Sequence, residues 1–119
     1  MKTRDEMLAE ARARITEITP QEAVERQQTG DAVVYLDVRE PGEWNLFRIP
    51  GAVLVPLSQV VATVEEKVPR NAKVVVYCAR GNRSVLAADA MQQLGYGDVA
   101  SLAGGITGWA HAGGAIDDS

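Results

Sequence analysis

The chain has one cysteine, and it lies in a short polar segment with two arginines and a glycine, Cys78-Ala79-Arg80-Gly81-Asn82-Arg83-Ser84. The segment directly follows Lys73-Val74-Val75-Val76-Tyr77, an apolar, β-branched run typical of a buried strand. A helix is predicted over 84–94, so the thiol should lie where the free N–H groups of a helix start favour negative charge. Those N–H groups and the arginines both stabilise a thiolate, which predicts a nucleophilic cysteine that acts on a small anion.

A lone cysteine is more often a small buried side chain, and this alternative competes with the catalytic one. The position of Cys78 at the end of a strand, beside two arginines and a glycine, favours chemistry. Gly81 permits the positive φ that a loop needs to curl its N–H groups around one centre. No histidine or aspartate follows nearby to act as a general base, and a thiolate that is already ionised needs none.

The elements that must position this segment alternate along the chain. Strands are predicted over 15–18, 33–36, 52–55, 73–77 and 99–102, and helices over 3–14, 20–28, 59–67, 84–94 and 107–112. Ser58 is the expected cap of the third helix, and the residues from Pro41 to Gly51 are expected to form a loop. This order indicates an α/β domain with a mainly parallel sheet. Ligands bind beyond the carboxyl ends of such strands, which selects residues 37–43 and 78–83.

Composition limits the remaining possibilities. The 119 residues are 46% hydrophobic and 24% charged, which predicts one folded domain. A net charge of −4 disfavours a nucleic-acid partner, and no apolar run is long enough for a membrane helix. One cysteine and one histidine cannot build a zinc site, and we expect no cofactor or metal. A free thiol without an export signal predicts a cytoplasmic protein.

The cysteine segment resembles the active-site loop of the rhodanese family, the thiosulfate sulfurtransferases. Four other segments agree with the family pattern in order and spacing: Asp37-Val38-Arg39-Glu40-Pro41 with Glu43-Trp44, Ile49-Pro50-Gly51-Ala52, Leu94-Gly95-Tyr96, and Gly104-Gly105-Ile106 with Trp109. The resemblance covers residues 15–114. Residues 1–14 are therefore expected to form a helical extension, and residues 15–119 a rhodanese-like domain.

The resemblance implies a five-stranded parallel sheet flanked by helices, and a two-step reaction. Cys78 would take the outer sulfur of thiosulfate as a persulfide, and a thiol or cyanide would accept it. The expected substrate-binding residues are those of the loop: Ala79, Arg80, Gly81, Asn82, Arg83 and Ser84. The alternative is a sulfur-relay or regulatory module that passes the same sulfur to a protein partner in cofactor or tRNA thiolation.

Loop length separates sulfur transfer from the cysteine-phosphatase chemistry that resembles it. Four residues lie between Cys78 and Arg83, whereas cysteine phosphatases have five, which widens their loop to fit a tetrahedral phosphate. The shorter loop therefore favours sulfur transfer over phosphatase or arsenate reductase activity.

Supporting roles are expected for Asp37, Arg39, Glu40 and Trp44. Arg83 is expected to pair with Asp37 or Glu40, and Asp37 and Arg39 to act as scaffold rather than in the chemistry. Arg80 is expected at the pocket mouth, where it selects anions, with an exposed arginine of no role as the alternative. Trp44 either lines the pocket or, more often for such an aromatic, packs.

The remaining expectations concern four residues and the first helix. Phe47-Arg48 replaces the usual Gly-His of the family, and Arg48 either keeps a positive charge near the pocket or is solvated. Trp109 is expected in the core, and His111, the single histidine, is not expected to be catalytic. The helix over 3–14 either packs on the domain or docks a partner.

Overall fold

The computed structural model describes residues 1–119. It contains five β-strands and six α-helices, with a short 3-10 helix at Leu57–Gln59. The strands are β1 Thr16–Ile18, β2 Val34–Asp37, β3 Val53–Leu54, β4 Val74–Tyr77 and β5 Val99–Leu102. The helices are α1 Arg4–Arg14, α2 Pro20–Gln28, α3 Pro41–Leu46, α4 Val60–Lys67, α5 Arg83–Gln93 and α6 Gly105–His111. None of the helices is long and apolar enough to cross a membrane.

All five strands pair in parallel, in the order β1-β5-β4-β2-β3, which confirms the predicted α/β class. The central strand β4 is buried on both faces, because helices cover both sides of the sheet. Its side chains alternate between these two faces. Val74 and Val76 pack with α4 and α5 on one face, whereas Val75 and Tyr77 pack with α2 and α6 on the other. The chain leaves β4 at Cys78, at the carboxyl edge of the sheet.

Helix α1 packs against α5, on the outside of the domain. Thr3 caps it, with the Glu6 amide 3.1 Å from the Thr3 hydroxyl and the Glu6 carboxylate accepting from the Thr3 amide in return. Ala11 is fully buried, and Arg14 forms two hydrogen bonds to the Asp89 carboxylate on α5. Of the two arrangements expected for this helix, the structure therefore has the one in which it packs on the domain.

Two local predictions are wrong. Residues 41–46 form helix α3 rather than a loop, because Pro41 occupies its first turn and the Glu43 carboxylate accepts a hydrogen bond from the Glu40 amide. Ser58 does not cap α4: it lies inside the 3-10 turn that follows Pro56, where the Gln59 amide donates to the Pro56 carbonyl. Helix α3 matters most, since it brings Glu43 to the carboxyl edge of the sheet.

Candidate active site

The Cys78 sulfur lies at the start of α5, enclosed by the loop that follows it. The Gly81 amide donates to Sγ at 3.2 Å, and the Ser84 hydroxyl lies 3.5 Å from Sγ. Ser84 is in turn 2.8 Å from the Ser101 hydroxyl on β5, so a buried polar pair holds it in place. Gly81 adopts a φ of +99°, the backbone conformation that the curl of the loop requires.

Hydrogen bonds to the sulfur outweigh the effect of its burial. Burial by itself raises the pKa of the Cys78 thiol, because a desolvated thiolate is unfavourable. The Ser84 hydroxyl and the backbone N–H groups of Ser84, Gly81 and Arg80 act in the opposite direction, and the net pKa lies below the ordinary cysteine value. The site therefore favours a thiolate, and the charge of the nearby Arg83 acts in the same direction.

The turn before α6 supports the back of the loop. Gly104 and Gly105 both have positive φ and form the turn into α6. Helix α6 begins at Gly105, two residues earlier than predicted, and its first amides reach the cysteine loop. The Ile106 amide donates to the Cys78 carbonyl at 2.9 Å and the Thr107 amide to the Ala79 carbonyl at 3.2 Å. A Cβ on Gly105 would lie 2.5 Å from the Cys78 carbonyl oxygen, so only glycine permits this approach.

Arg83 pairs with Glu43 and not, as predicted, with Asp37 or Glu40. Its two terminal nitrogens lie 2.7 and 3.0 Å from the two carboxylate oxygens of Glu43, a bidentate pair that leaves both side chains about a third exposed. The hydrogen bonds from Arg83 lower the pKa of Glu43 to about 2, against the smaller opposing effect of burial. Glu40 is exposed and is the N-cap residue of α3.

Asp37 and Arg39 form a second bidentate pair, which is completely buried. The Arg39 guanidinium donates to both Asp37 oxygens, at 2.8 to 3.2 Å, and also to the Phe47 carbonyl at 2.6 Å. It lies 5.3 Å from the centre of the Phe47 ring and 5.7 Å from that of Tyr77. Neither residue lines the cysteine pocket, and this burial agrees with the expected scaffold role.

A pocket of about 350 Å³ opens above Cys78. Five of its lining residues come from the cysteine loop: Cys78, Ala79, Arg80, Asn82 and Arg83. The sixth is Arg4, from the first turn of α1. The lining therefore contains three arginines and no acidic side chain.

Trp44 and Arg48 lie outside this pocket. The Arg48 guanidinium stacks 5.1 Å above the Trp44 ring and forms an ion pair with Asp117 at 2.9 Å, near the end of the chain. Arg48 is thus neither solvated nor a pocket charge, because it anchors the C-terminal segment. Trp109 is fully buried and packs edge-on against Tyr35, and His111 is exposed at the end of α6.

Sequence reasoning gave no site role to two residues, Arg4 and Glu43, although Glu43 lies within the selected segment 37–43 and in the family motif. The sequence could have indicated Glu43, because it lies two residues after Pro41, at the start of a helix. An acidic side chain at that position faces the edge of the sheet where ligands bind. The sequence could not have indicated Arg4, since no pattern in residues 1–14 predicts contact with a segment more than 70 positions later. Only the packing of α1 on α5 brings them together.

Comparison with known proteins identifies the same family that the motifs indicated. The family model described as Rhodanese-like domain matches residues 19–112. The chain is 37% identical over 94 residues to the protein named "Probable adenylyltransferase/sulfurtransferase MoeZ" of Mycobacterium tuberculosis; the match covers 78% of this chain and only 24% of that protein. It is 35% identical to the thiosulfate sulfurtransferase GlpE of Actinobacillus succinogenes, covering 82% of this chain and 86% of that protein.

A solved structure resembles almost the whole chain, α1 included. The protein RPA3614 of Rhodopseudomonas palustris, of unknown function and described as a candidate tyrosine phosphatase, is 32% identical, with a TM-score of 0.88. The match covers 98% of this chain and 96% of that one.

Proposed function

Since the chain belongs to the rhodanese-like domain family, we propose that it is a thiosulfate sulfurtransferase that carries sulfane sulfur on Cys78. The observation that carries this proposal is the position of the Cys78 sulfur, which receives N–H and O–H donors at the base of a pocket lined by arginines without an acid. Such a site suits an anionic donor and an anionic sulfur intermediate.

In the first step the Cys78 thiolate attacks the outer sulfur of thiosulfate. A new S–S bond forms to Cys78, the S–S bond of thiosulfate breaks, and its electron pair leaves with sulfite. The lowered pKa of Cys78 supports this role, because the thiolate and not the thiol is the nucleophile. No proton has to move, so the site needs no general base.

In the second step a nucleophile takes the terminal sulfur and returns Cys78 to a thiolate. Cyanide would leave as thiocyanate, and a thiolate acceptor would leave as its own persulfide. The persulfide anion on Cys78 is one atom longer than the thiolate, and the same N–H groups that favour the thiolate favour this charge. Arg80, at the exposed mouth of the pocket, would attract the incoming anion.

A relay function is the second candidate, and the similarity to MoeZ favours it. That protein is named for both an adenylyltransferase and a sulfurtransferase, and this chain corresponds to about a quarter of it. In a relay the first step is unchanged, and a protein acceptor replaces the small thiol in the second. The two candidates therefore share the Cys78 persulfide and differ only in what removes it.

Mass spectrometry after exposure to thiosulfate tests the shared step. The protein should gain one sulfur, about 32 Da, and peptide mapping should place it on Cys78. Cyanide should remove the added mass and release thiocyanate. Cys78→Ser should show no adduct, and an adduct retained in that variant would contradict the assignment.

Hydrolysis of an aryl phosphate is the matched test of the competing chemistry. Four residues separate Cys78 from Arg83, a loop sized for sulfur, so turnover should be at background and equal to that of Cys78→Ser. Turnover that depends on Cys78 and exceeds the sulfur-transfer rate would instead favour the phosphatase description given to RPA3614.

A further inference from the structure

Two arginines beside Cys78 are unusual within this molecule, because they have no partner. The chain has twelve lysines and arginines, and nine of them form an ion pair with a carboxylate. Of the other three, Lys67 donates to the Leu54 carbonyl. Arg4 and Arg80 alone form neither an ion pair nor a side-chain hydrogen bond, and both line the Cys78 pocket.

The charge of this pocket differs from that of the rest of the surface. The chain as a whole carries −4, and the other two pockets each combine Arg26 with glutamates. In the Cys78 pocket Arg83 is neutralised by Glu43, so the uncompensated positive charge comes from Arg4 and Arg80. Guanidinium groups are always protonated, so this charge persists at every physiological pH.

Arg4 belongs to the extension and not to the part of the chain that the family model matches, which begins at residue 19. Helix α1 nevertheless contacts both α5 and the cysteine loop. Arg14 holds its end through the bidentate pair with Asp89 on α5. Arg12 donates to the Asn82 side chain in the cysteine loop itself at 3.3 Å, and Ala11 is buried. These contacts fix the C-terminal half of α1, and Arg4 in its first turn lies in the lining of the Cys78 pocket.

We infer that α1 completes the substrate site, with Arg4 and Arg80 together binding the anionic group of the sulfur donor at the mouth of the pocket. This inference rests on the proposed function for the identity of the donor, a small dianion such as thiosulfate. It assigns residues 1–14 a part in substrate selection, whereas a helix that only packs on the domain would have none.

Arg4→Gln tests the inference in the full-length protein, with Arg70→Gln as the control. Arg70 is an exposed arginine that precedes β4, at the opposite edge of the sheet from Cys78, and its removal changes the net charge equally. The readout is the ratio of the Cys78 alkylation rate with iodoacetate, an anion, to that with iodoacetamide, which is neutral. A change in helix packing would alter both rates alike, whereas a lost anion-binding charge lowers only the first.

We expect Arg4→Gln to lower this ratio about 3- to 10-fold at low ionic strength, and to raise the KM for thiosulfate by a similar factor with little change in kcat. Arg4→Lys should keep the ratio within about 2-fold of wild type, and about 1 M salt should remove most of the difference, because it screens charges beyond about 3 Å. Arg70→Gln should leave the ratio unchanged.

The outcomes separate this inference from the proposed function. If the ratio in Arg4→Gln equals that in Arg70→Gln, Arg4 does not bind anions and the inference is overturned, whether or not thiosulfate loads Cys78. If the ratio falls but thiosulfate adds no sulfur to the wild-type protein, the anion site stands and the identity of the donor is wrong.

Discussion

Two arginine–carboxylate pairs flank the carboxyl edge of the sheet, and they differ chiefly in burial. Both are bidentate: Arg39 with Asp37, and Arg83 with Glu43. The first pair is at most 2% exposed and forms no part of the pocket, whereas the second is about a third exposed and its arginine lines the pocket. The same kind of ion pair therefore has a different effect at each position, because one pair is shielded from water and the other is not.

Burial makes the partners of the first pair depend on each other. An isolated charge in the interior loses its hydration, so Asp37 and Arg39 are tolerated only together, with the Phe47 carbonyl taking a further N–H. The pair holds the end of β2, at Asp37, in a fixed position relative to Phe47, the residue after α3. The Arg83–Glu43 pair is partly hydrated, so either partner can be lost at small cost. Its main effect is on the charge of the Cys78 pocket, which Arg83 lines.

The largest effect should follow from breaking the buried pair. Asp37→Ala leaves the Arg39 guanidinium unpaired in the interior, and we expect it to lower the free energy of unfolding by about 3–5 kcal/mol. Urea denaturation at neutral pH measures this. The double variant Asp37→Leu/Arg39→Met removes both charges and should recover most of the loss. A loss below about 1 kcal/mol in Asp37→Ala would mean that water reaches Arg39, and the contrast between the pairs would not hold.

A smaller effect of a different kind should follow from breaking the exposed pair. Glu43→Gln should change the free energy of unfolding by about 1 kcal/mol or less, because the pair is partly solvated. It also leaves the positive charge of Arg83 uncompensated in the pocket. We therefore expect alkylation of Cys78 by iodoacetate to become about 2- to 3-fold faster relative to iodoacetamide.

Glu40→Gln is the matched control for that experiment. It removes the same charge three residues earlier, from a side chain that does not contact Arg83. An equal rise in both variants would show a general effect of net charge, and no rise in Glu43→Gln would mean that Glu43 does not set the charge of the pocket.

The sequence predicted the features that local patterns encode. The β-branched run before Cys78 predicted β4, and the polar loop with Gly81 predicted the turn into α5, so Cys78 and the N–H donors around its sulfur were found together. Both follow from neighbours within about ten residues. The family resemblance added the five-stranded sheet, which the structure confirms.

The features that the sequence did not predict depend on contacts between distant segments. Arg83 and Glu43 are 40 residues apart, and which of three nearby acids meets the arginine depends on α3, a helix hidden by the Pro41-Gly42 turn signal. Arg4 reaches the pocket only because α1 packs on α5. Local periodicity reports which face of a helix is apolar, but not which loop its first residue will reach.

The smallest effect should be a pH dependence of stability that belongs to the exposed pair. The pKa of Glu43 is about 2 in the folded protein, below the value of about 4.3 expected in an unfolded chain. A depressed folded-state pKa stabilises the fold above the unfolded value, and this contribution is lost as the pH falls through the folded one. The stability difference between wild type and Glu43→Gln should thus be constant from pH 7 to 5 and shrink between about pH 4.5 and 2.

Solvent exposure limits the size of this difference to about 1 kcal/mol, less than the shift in pKa alone would suggest. Urea midpoints of both proteins at pH 7, 5, 3.5 and 2.5, at constant ionic strength, measure it. A difference that grows as the pH falls would mean that Glu43 is less acidic when folded, and that its contact with Arg83 does not persist in solution. A difference of several kcal/mol at pH 7 would place the Glu43–Arg83 pair with the buried one, and would remove the distinction between a pair that holds the fold and a pair that sets the charge of the site.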